Sequence, residues 1–384
     1  MKRVVAVIPN YLGGGAETVT DAIVAGLKPE GYEFVLVTEQ VVEKCRERVN
    51  ALYSKVIIAD FELARYSSDT SRRLARIIEP LRADTLWMIG DEFADIDLLR
   101  SALKPGGKVV YHLHSIPFFQ VGLKDTFHGN PSDRVAYTKW FMLKHMREKL
   151  FKSYARRYAR RARLTAAGVD TYVTLCEAYA ETLRRLAPDH AAKIVAVHNP
   201  APPFTARHDI PKRRELLYVG RLSHADKRVD RLIDIFAGIT DAHPGWKLKI
   251  VGDGPERANL ERRARDLGLE RIEFCGFSAN PAEHFESASI VCITSALEGW
   301  GMVLVEAMQH GAAPIAFGCS EGVRTILADG RGIIVNPDDM PEYMNRLSQL
   351  MASPDLRAEI TSTHAPFLAG LSADKIIEQW KRLL

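Results

Sequence analysis

The run from Lys2 to Leu27, KRVVAVIPNYLGGGAETVTDAIVAGL, decides the fold. Lys2–Pro9 is a near-continuous apolar stretch of strand length, the pattern of a strand buried on both faces. Gly13, Gly14 and Gly15 then turn the chain, and Val19, Ala22, Ile23 and Leu27 recur at helical spacing. Outward from this unit the same alternation repeats. Short apolar runs stand at Glu33–Thr38, Lys55–Ala59, Asp84–Ile89, Lys108–Leu113, Thr171–Leu175 and Lys193–Val197. His198–Arg214 holds four prolines and no period, which reads as a linker. Past it the alternation restarts at Glu215–Val219, Lys247–Val251, Ile272–Phe277, Ser289–Thr294, Ala313–Phe317 and Gly332–Val335. Two doubly wound α/β domains with parallel sheets are predicted.

Composition agrees with that architecture. At 384 residues the chain exceeds one ordinary core. Its 47% hydrophobic and 26% charged residues are those of a folded globular protein. A balance of 52 basic against 48 acidic residues is too mild to suggest a nucleic-acid partner, and none is expected. The opening MKRVVAVIPN reads as a first strand, not a signal peptide, and no stretch approaches about 18 uninterrupted apolar residues. Cys45, Cys176, Cys275, Cys292 and Cys319 form no C-x-x-C pair, so free thiols in a reducing cytoplasm are expected, with no metal site.

In open α/β sheets ligands sit beyond the carboxyl ends of the strands, so the strand exits carry the candidate site. At the first, Gly13-Gly14-Gly15-Ala16-Glu17-Thr18 lets backbone N–H groups approach an anion at a helix N-terminus. A tight turn without ligand is the plain alternative. The fingerprint G-x-G-x-x-G begun at Gly13 needs glycine where Thr18 stands, which argues against a dehydrogenase. At the second exit, Gly220-Arg221-Leu222 follows Leu216–Val219, and Lys227 lies a few residues on. A guanidinium fork beside a mobile ammonium suits a diphosphate, although a solvated surface pair has the same spacing. At the third, Glu298 precedes a helix expected from about Gly301 to His310, with Glu306 in its second turn. Those carboxylates could accept from sugar hydroxyls or simply be solvated. At the fourth, His114 leaves Lys108–Leu113. Period two puts His112 on the same face, so one of the two could be only a packed histidine.

Four stretches occur in order: LLYVGRLSHADK (216–227), LKIVGDGPERANLE (248–261), IEFCGF (272–277) and EGWGMVLVEAMQHGAAPIAF (298–317). Together they resemble the nucleotide-binding domain of the family 4 glycosyltransferases, and the last resembles that family's Glu-x7-Glu motif, here Glu298 to Glu306. The first half is similar more loosely, through GGGAET, the strand-end His114, and Asn199–Pro200 at the boundary. Ser372 through Trp380 resembles the family's helix that returns to the first domain. The resemblance implies the GT-B fold, two Rossmann-like domains facing a central cleft: 1–200 for the acceptor, 201–368 for the nucleotide sugar, and 369–384 crossing back. It implies roles as well. Arg221 and Lys227 would hold the donor diphosphate, Glu306 the ribose and Glu298 the transferred sugar. Gly299, Trp300 and Gly301 would present backbone N–H groups, with Gly220, Gly252, Gly276, Phe277, Met302 and Val303 lining the donor. Gly14 and Gly15 would close on the diphosphate, and His114 would contact the sugar near its reacting carbon. Two positions depart from the family pattern: Arg228 stands where glycine often follows the lysine, and Val323-Arg324-Thr325 replaces a proline–glutamate step.

The expected reaction is hexosyl transfer from a nucleotide diphosphate, with uridine favoured by family frequency and the anomeric configuration retained. The expected acceptor is a glycan or a lipid-linked glycan, as in cell-surface polysaccharide synthesis. No cofactor or divalent metal is expected, because Arg221 and Lys227 supply the charge. Asp95-Ile96-Asp97 has the letters of a metal motif but falls in a helical stretch. From Lys139 to Arg163 there are ten Lys or Arg residues against one acid, Glu148, with Leu143, Met146, Leu150, Tyr154 and Tyr158 at helical spacing. That describes a basic amphipathic helix able to lie on an anionic membrane surface, or equally the solvated face of a packed helix. The rival functions are a nucleotide-sugar epimerase on the same fold and a catalytically silent nucleotide-sugar-binding subunit. The Glu-x7-Glu and Gly-Arg-Leu segments weigh against the first, and the intact set of four charged residues against the second.

Overall fold

The computed structural model describes residues 1–90, 92–118, 144–204, 210–278 and 280–384. The chain divides into two compact units. The first is assembled from Met1–Pro117, Ser153–Pro202 and Leu371–Leu384, and the second centres on Pro203–Gly370.

The first unit is a seven-stranded parallel sheet in the order β5-β3-β1-β6-β7-β8-β9. These strands are β1 (Lys2–Val7), β3 (Tyr32–Thr38), β5 (Lys55–Ile58), β6 (Thr85–Ile89), β7 (Lys108–His112), β8 (Thr171–Thr174) and β9 (Ile194–Ala196). The chain starts in the middle, winds outward through β3 and β5, then returns to β6 and winds the other way. Every residue of β6 is buried, as expected of a strand covered on both faces. A two-stranded ribbon, β2 (Asn10–Tyr11) with β4 (Gln40–Val41), lies outside the apolar-run reading because it is too short to carry a period. The last helix, Ala373–Leu383, completes this unit. Its Ile377 is so close to the helix Gly15–Leu27 that a Cβ on Gly26 would meet it at 2.5 Å. The Leu384 carbonyl accepts from the Thr85 hydroxyl at 2.9 Å, and Lys381 pairs with Glu30 at 2.6 Å.

The second unit repeats the winding with six parallel strands ordered β12-β11-β10-β13-β14-β15. They are β10 (Arg213–Val219), β11 (Lys247–Val251), β12 (Ile272–Gly276), β13 (Ala288–Ile293), β14 (Ala313–Phe317) and β15 (Ile333–Val335). Its topological switch point lies between β10 and β13, where neighbouring strands lead the chain to opposite sides. Several strands stop short of their apolar runs. Phe277, for one, lies beyond β12, whose last residue, Gly276, turns at φ +74°.

Two further expectations meet the structure here. Asp95 caps the helix Ile96–Ser101 by accepting from the Leu98 N–H at 3.1 Å, a structural use for that carboxylate. The basic helix spans Lys144–Gly168; residues 139–143, where its predicted start falls, lie outside the described residues. Its side chains are described from Lys152 onward. Tyr158 packs against the first unit's core, and Ala162, Thr165 and Ala166 further along are buried. Leu143, Met146 and Leu150, from the rest of the predicted stripe, have side chains outside those described. What faces outward is a row of arginines, Arg156, Arg157, Arg160 and Arg163, beside a half-exposed Leu164.

Candidate functional site

The switch point of the second sheet is where the sequence-predicted charges converge. β10 ends at Val219, and Gly220 at φ +153° swings the chain off the strand. The loop 221–228 is then sewn to both neighbours. The Leu222 N–H donates to the Asp253 carbonyl after β11, at 2.9 Å. After β13 the Ala296 and Leu297 N–H groups donate to the Asp226 carbonyl at 2.8 and 3.3 Å, and the Thr294 hydroxyl donates to the Arg228 carbonyl at 3.0 Å. The loop is therefore fixed by backbone bonds before any ligand arrives.

Two cation–carboxylate pairs sit on this frame. Lys227 Nζ lies 2.5 Å from Glu298 Oε2, and both side chains are largely buried. Burial alone lowers the ammonium's pKa, but the adjoining carboxylate more than reverses that, so Lys227 is held above its ordinary value. Arg221 is paired with Asp226 at 2.9 Å but leaves its guanidinium two-thirds exposed. Burial pushes the Asp226 carboxyl up, and the Ser223 hydroxyl and Arg221 together bring it below the usual range. Tyr218 donates from its hydroxyl to the Arg221 carbonyl at 3.0 Å, fixing the loop from below. Cys319 also stands in the field of Lys227 and Glu298. Burial pushes its thiol up to about 12, so it is no thiolate nucleophile.

The glycines explain themselves at this edge. A Cβ on Gly252, at φ +141°, would fall 1.9 Å from the Gly220 carbonyl oxygen. The Gly252 N–H donates to the Gly276 carbonyl at 2.7 Å, so three adjacent strand exits are backbone in close contact. On the other side Gly301, at φ +93°, starts the helix Met302–Gln309. Gly322 lets the next helix approach until its Cβ position would be 2.2 Å from the Gly299 carbonyl. Trp300 is buried, Met302 and Val303 are the first residues of the helix, and Phe277 is 66% exposed. Glu306 stands one turn further along. Burial raises its carboxyl to about 7, and no compensating charge contributes.

Gly14, Gly15 and His114 belong to the first unit and are described there. Gly14 caps the helix Gly15–Leu27, and Glu17 accepts from the Leu12 N–H at 3.0 Å, bracing the turn. His114 lies two residues past the end of β7, its ring 3.7 Å from that of His112. His112 is the packed member of the pair, buried against Trp87 and Trp380 at ring separations of 6.2 and 4.7 Å. Burial lowers the His114 pKa to about 3, so at neutral pH its ring is uncharged.

Sequence reasoning missed Tyr218, Asp226, Cys319 and Gly322. Asp226 sits inside the quoted LSHADK segment, and its position between the two cations was the available signal. The others become visible only once distant loops meet. Arg228, one of the two departures, adopts φ +49°, a conformation glycine takes at little cost. Its guanidinium offsets the strain with a forked contact to Asp230 at 2.9 and 3.1 Å.

Comparison with known proteins places this architecture. The model described as "Glycosyltransferase Family 4" matches residues 13–203, and that described as "Glycosyl transferases group 1" matches 204–364. The chain belongs to the family 4 glycosyltransferases, with the GT-B fold. Over 174 residues it is 33% identical to the amylovoran biosynthesis glycosyltransferase AmsD of Erwinia amylovora, covering 45% of this chain and 48% of that protein. It is 29% identical over 171 residues to a lipopolysaccharide 1,6-galactosyltransferase of Salmonella typhimurium, covering 42% and 47%. The chain thus spans about half the length of the curated relatives it matches. In structure it is similar over its whole length to HepE of Anabaena, solved with UDP and glucose, at TM-score 0.74 and 17% identity, covering 99% of that chain. TarM of S. aureus matches at TM-score 0.73 and 14% identity, covering 100% of this chain and 99% of that one. At such identities the likeness is one of fold. Among the described residues no group of three or more His, Cys, Asp or Glu side chains is placed to hold a metal ion, and no helix is long and apolar enough to cross a membrane.

Proposed function

We propose that this chain transfers a hexose from a nucleotide diphosphate, with uridine as the base, onto a glycan or lipid-linked acceptor in cell-surface polysaccharide synthesis. The observation that carries this reading is the pair of cations, Arg221 and Lys227, held at the switch point of the second sheet by bonds from three strand exits. The named activities of the relatives support the substrate class. In the reaction the bond from the sugar's anomeric carbon to phosphate breaks, its electrons going to the diphosphate. The acceptor hydroxyl oxygen bonds to that carbon on the same face, and its proton passes to the departing phosphate. Charge on the diphosphate grows along this path, so fixed cations favour the transition state over the bound donor. No metal is required for that charge. Glu298, paired with Lys227 at 2.5 Å, takes the transferred sugar's hydroxyls, and Glu306 takes the ribose. Backbone N–H groups around Gly299–Val303 face the phosphate and sugar, while Gly220, Gly252, Gly276 and Phe277 frame the nucleoside. Gly14, Gly15 and the neutral His114 of the first unit keep the donor-binding and sugar-contact roles that the family resemblance implies.

Incubating the protein with a panel of nucleotide sugars, with and without glycan acceptors, tests the reading by mass detection of the released nucleotide. One UDP-sugar is expected to release UDP far faster than the rest. No release from any donor would refute the enzyme.

Glu306 supplies a pH signature. With its carboxyl at about 7, the ionised fraction falls about ten-fold from pH 8 to pH 6, and a carboxylate is the better acceptor for ribose hydroxyls. UDP affinity is expected to fall on acidification by up to that factor more in the native protein than in Glu306→Gln. Parallel titrations of the two would remove Glu306 from the ribose.

The outward arginine row, Arg156, Arg157, Arg160 and Arg163, supports electrostatic contact with an anionic membrane surface. Flotation with vesicles rich in anionic lipid should be lost on replacing Arg156, Arg157, Arg160 and Arg163 together with glutamine, and lost in high salt. Equal flotation with neutral vesicles would overturn that contact.

A further inference from the structure

The second unit contains a cavity of about 430 Å³ that the transfer reaction does not use. Its charged walls come from the residues just before the strands: Lys212 precedes β10, Glu286 precedes β13 and His310 precedes β14. The donor residues follow the same strands, so this cavity lies at the opposite edge of the sheet.

Its chemistry is specific. Glu286 is 7% exposed, and its Oε2 is buried without a hydrogen-bond partner. Lys212 Nζ is anchored by donating to the Phe285 carbonyl at 2.9 Å, which leaves ammonium donors for another group. His310 is held against Phe285 and Phe204 at ring separations of 5.5 and 4.7 Å, and its Nδ1 is buried and unpartnered. Glu286 lies within electrostatic reach of both Lys212 and His310. Yet among the described residues no ion pair joins Glu286 to either. A carboxylate left buried and short of partners costs free energy unless something completes its shell.

The balance of charge selects what that something is. Glu286 repels an anion and Lys212 repels a cation, so a singly charged small ligand gains from one and loses to the other. A hydroxyl both donates and accepts, so neighbouring hydroxyls can bridge the carboxylate and the ammonium at once. Phe204, Met308 and Leu368 add an apolar stretch of wall, and Gln309, Thr361 and His364 further polar groups. A pyranose ring matches both, having a hydroxyl edge and a C–H face, and the volume lies within the range of small-molecule sites. We propose that this cavity is an accessory saccharide-binding site that holds one neutral sugar residue of a glycan at the far edge of the sheet from the donor. The proposal goes beyond the transfer reaction and does not depend on it.

The test uses the full chain saturated with UDP, titrated with methyl α-glucoside, methyl α-galactoside and methyl α-N-acetylglucosaminide and followed by saturation-transfer NMR. At least one glycoside is expected to bind with UDP present. Glu286→Gln should weaken it about ten-fold, the effect of losing a charge-assisted hydrogen bond. Ala365→Trp, a substitution at an exposed position on the cavity wall, should abolish it while UDP affinity stays unchanged. This second variant keeps the test decisive if Glu286→Gln fails to fold. The proposal is overturned if no glycoside binds the native chain, if UDP displaces it, if Ala365→Trp leaves it intact, or if inorganic phosphate occupies the cavity instead. Failure here would leave UDP release from donors untouched, and failure of donor turnover would leave glycoside binding untouched.

Discussion

Lys227→Ala is expected to lower turnover by about 10²–10³, the range for removing one preorganised charge-stabilising donor. The loss should fall mainly on kcat. Negative charge on the diphosphate increases as the sugar departs, so the missing ammonium is felt more in the transition state than in the bound donor. Two effects share this substitution, because Lys227 also neutralises Glu298 at 2.5 Å. Comparing the Tm of Lys227→Ala with that of Lys227→Ala/Glu298→Gln isolates the second: relief of the orphaned carboxylate restores stability. Arg221→Ala should cost less than Lys227→Ala, since its guanidinium is two-thirds exposed and solvent already screens it. Steady-state kinetics with the preferred donor decide the matter, and near-normal turnover in Lys227→Ala would dismiss the assigned role.

Gly252→Ala is the second large effect, and it acts through the backbone. The new methyl would lie 1.9 Å from the Gly220 carbonyl oxygen, and φ +141° is a conformation that alanine rarely adopts. Neither neighbour is a flexible side chain tip, so strand exits β10 and β11 must separate. The strain and overpacking together cost on the order of 3 kcal/mol, or roughly 10 °C in Tm for a unit of this size. Because Arg221 follows Gly220 directly, UDP affinity should fall along with stability. Calorimetry and UDP titration on the same preparation test both. A Tm shift under about 2 °C with unchanged UDP binding would mean that the close approach does not order the site.

The fold was legible because a doubly wound sheet imposes its pattern locally. β13, buried at every residue, had to be written as ASIVCI or something like it, and the turns after it had to carry glycine. The charged residues were legible for a different reason. Arg221 and Lys227 lie close in sequence on one strand exit, so their partnership could be inferred without knowing the fold. Glu298 could be joined to Lys227 only through the family motif, since the contact spans 71 positions. Tyr218 and Gly322 were beyond reach, because their meaning depends on which loops meet. The basic helix stayed ambiguous for a related reason: a helical apolar stripe has the same period whether it faces lipid or a protein core.

The way the first unit is assembled has a consequence for how the chain is made. Its sheet is complete once β9 has been synthesised, but Trp380, Ile377 and the Leu384 carbonyl still have to close over Trp87, Gly26 and Thr85. That closing piece leaves the ribosome only after residues 203–370, so the second unit can reach its native form while the first is still uncapped. During that interval an apolar face around His112 and Trp87 stands open. The chain therefore has a vulnerable period during synthesis whose length is the time needed to translate its other half.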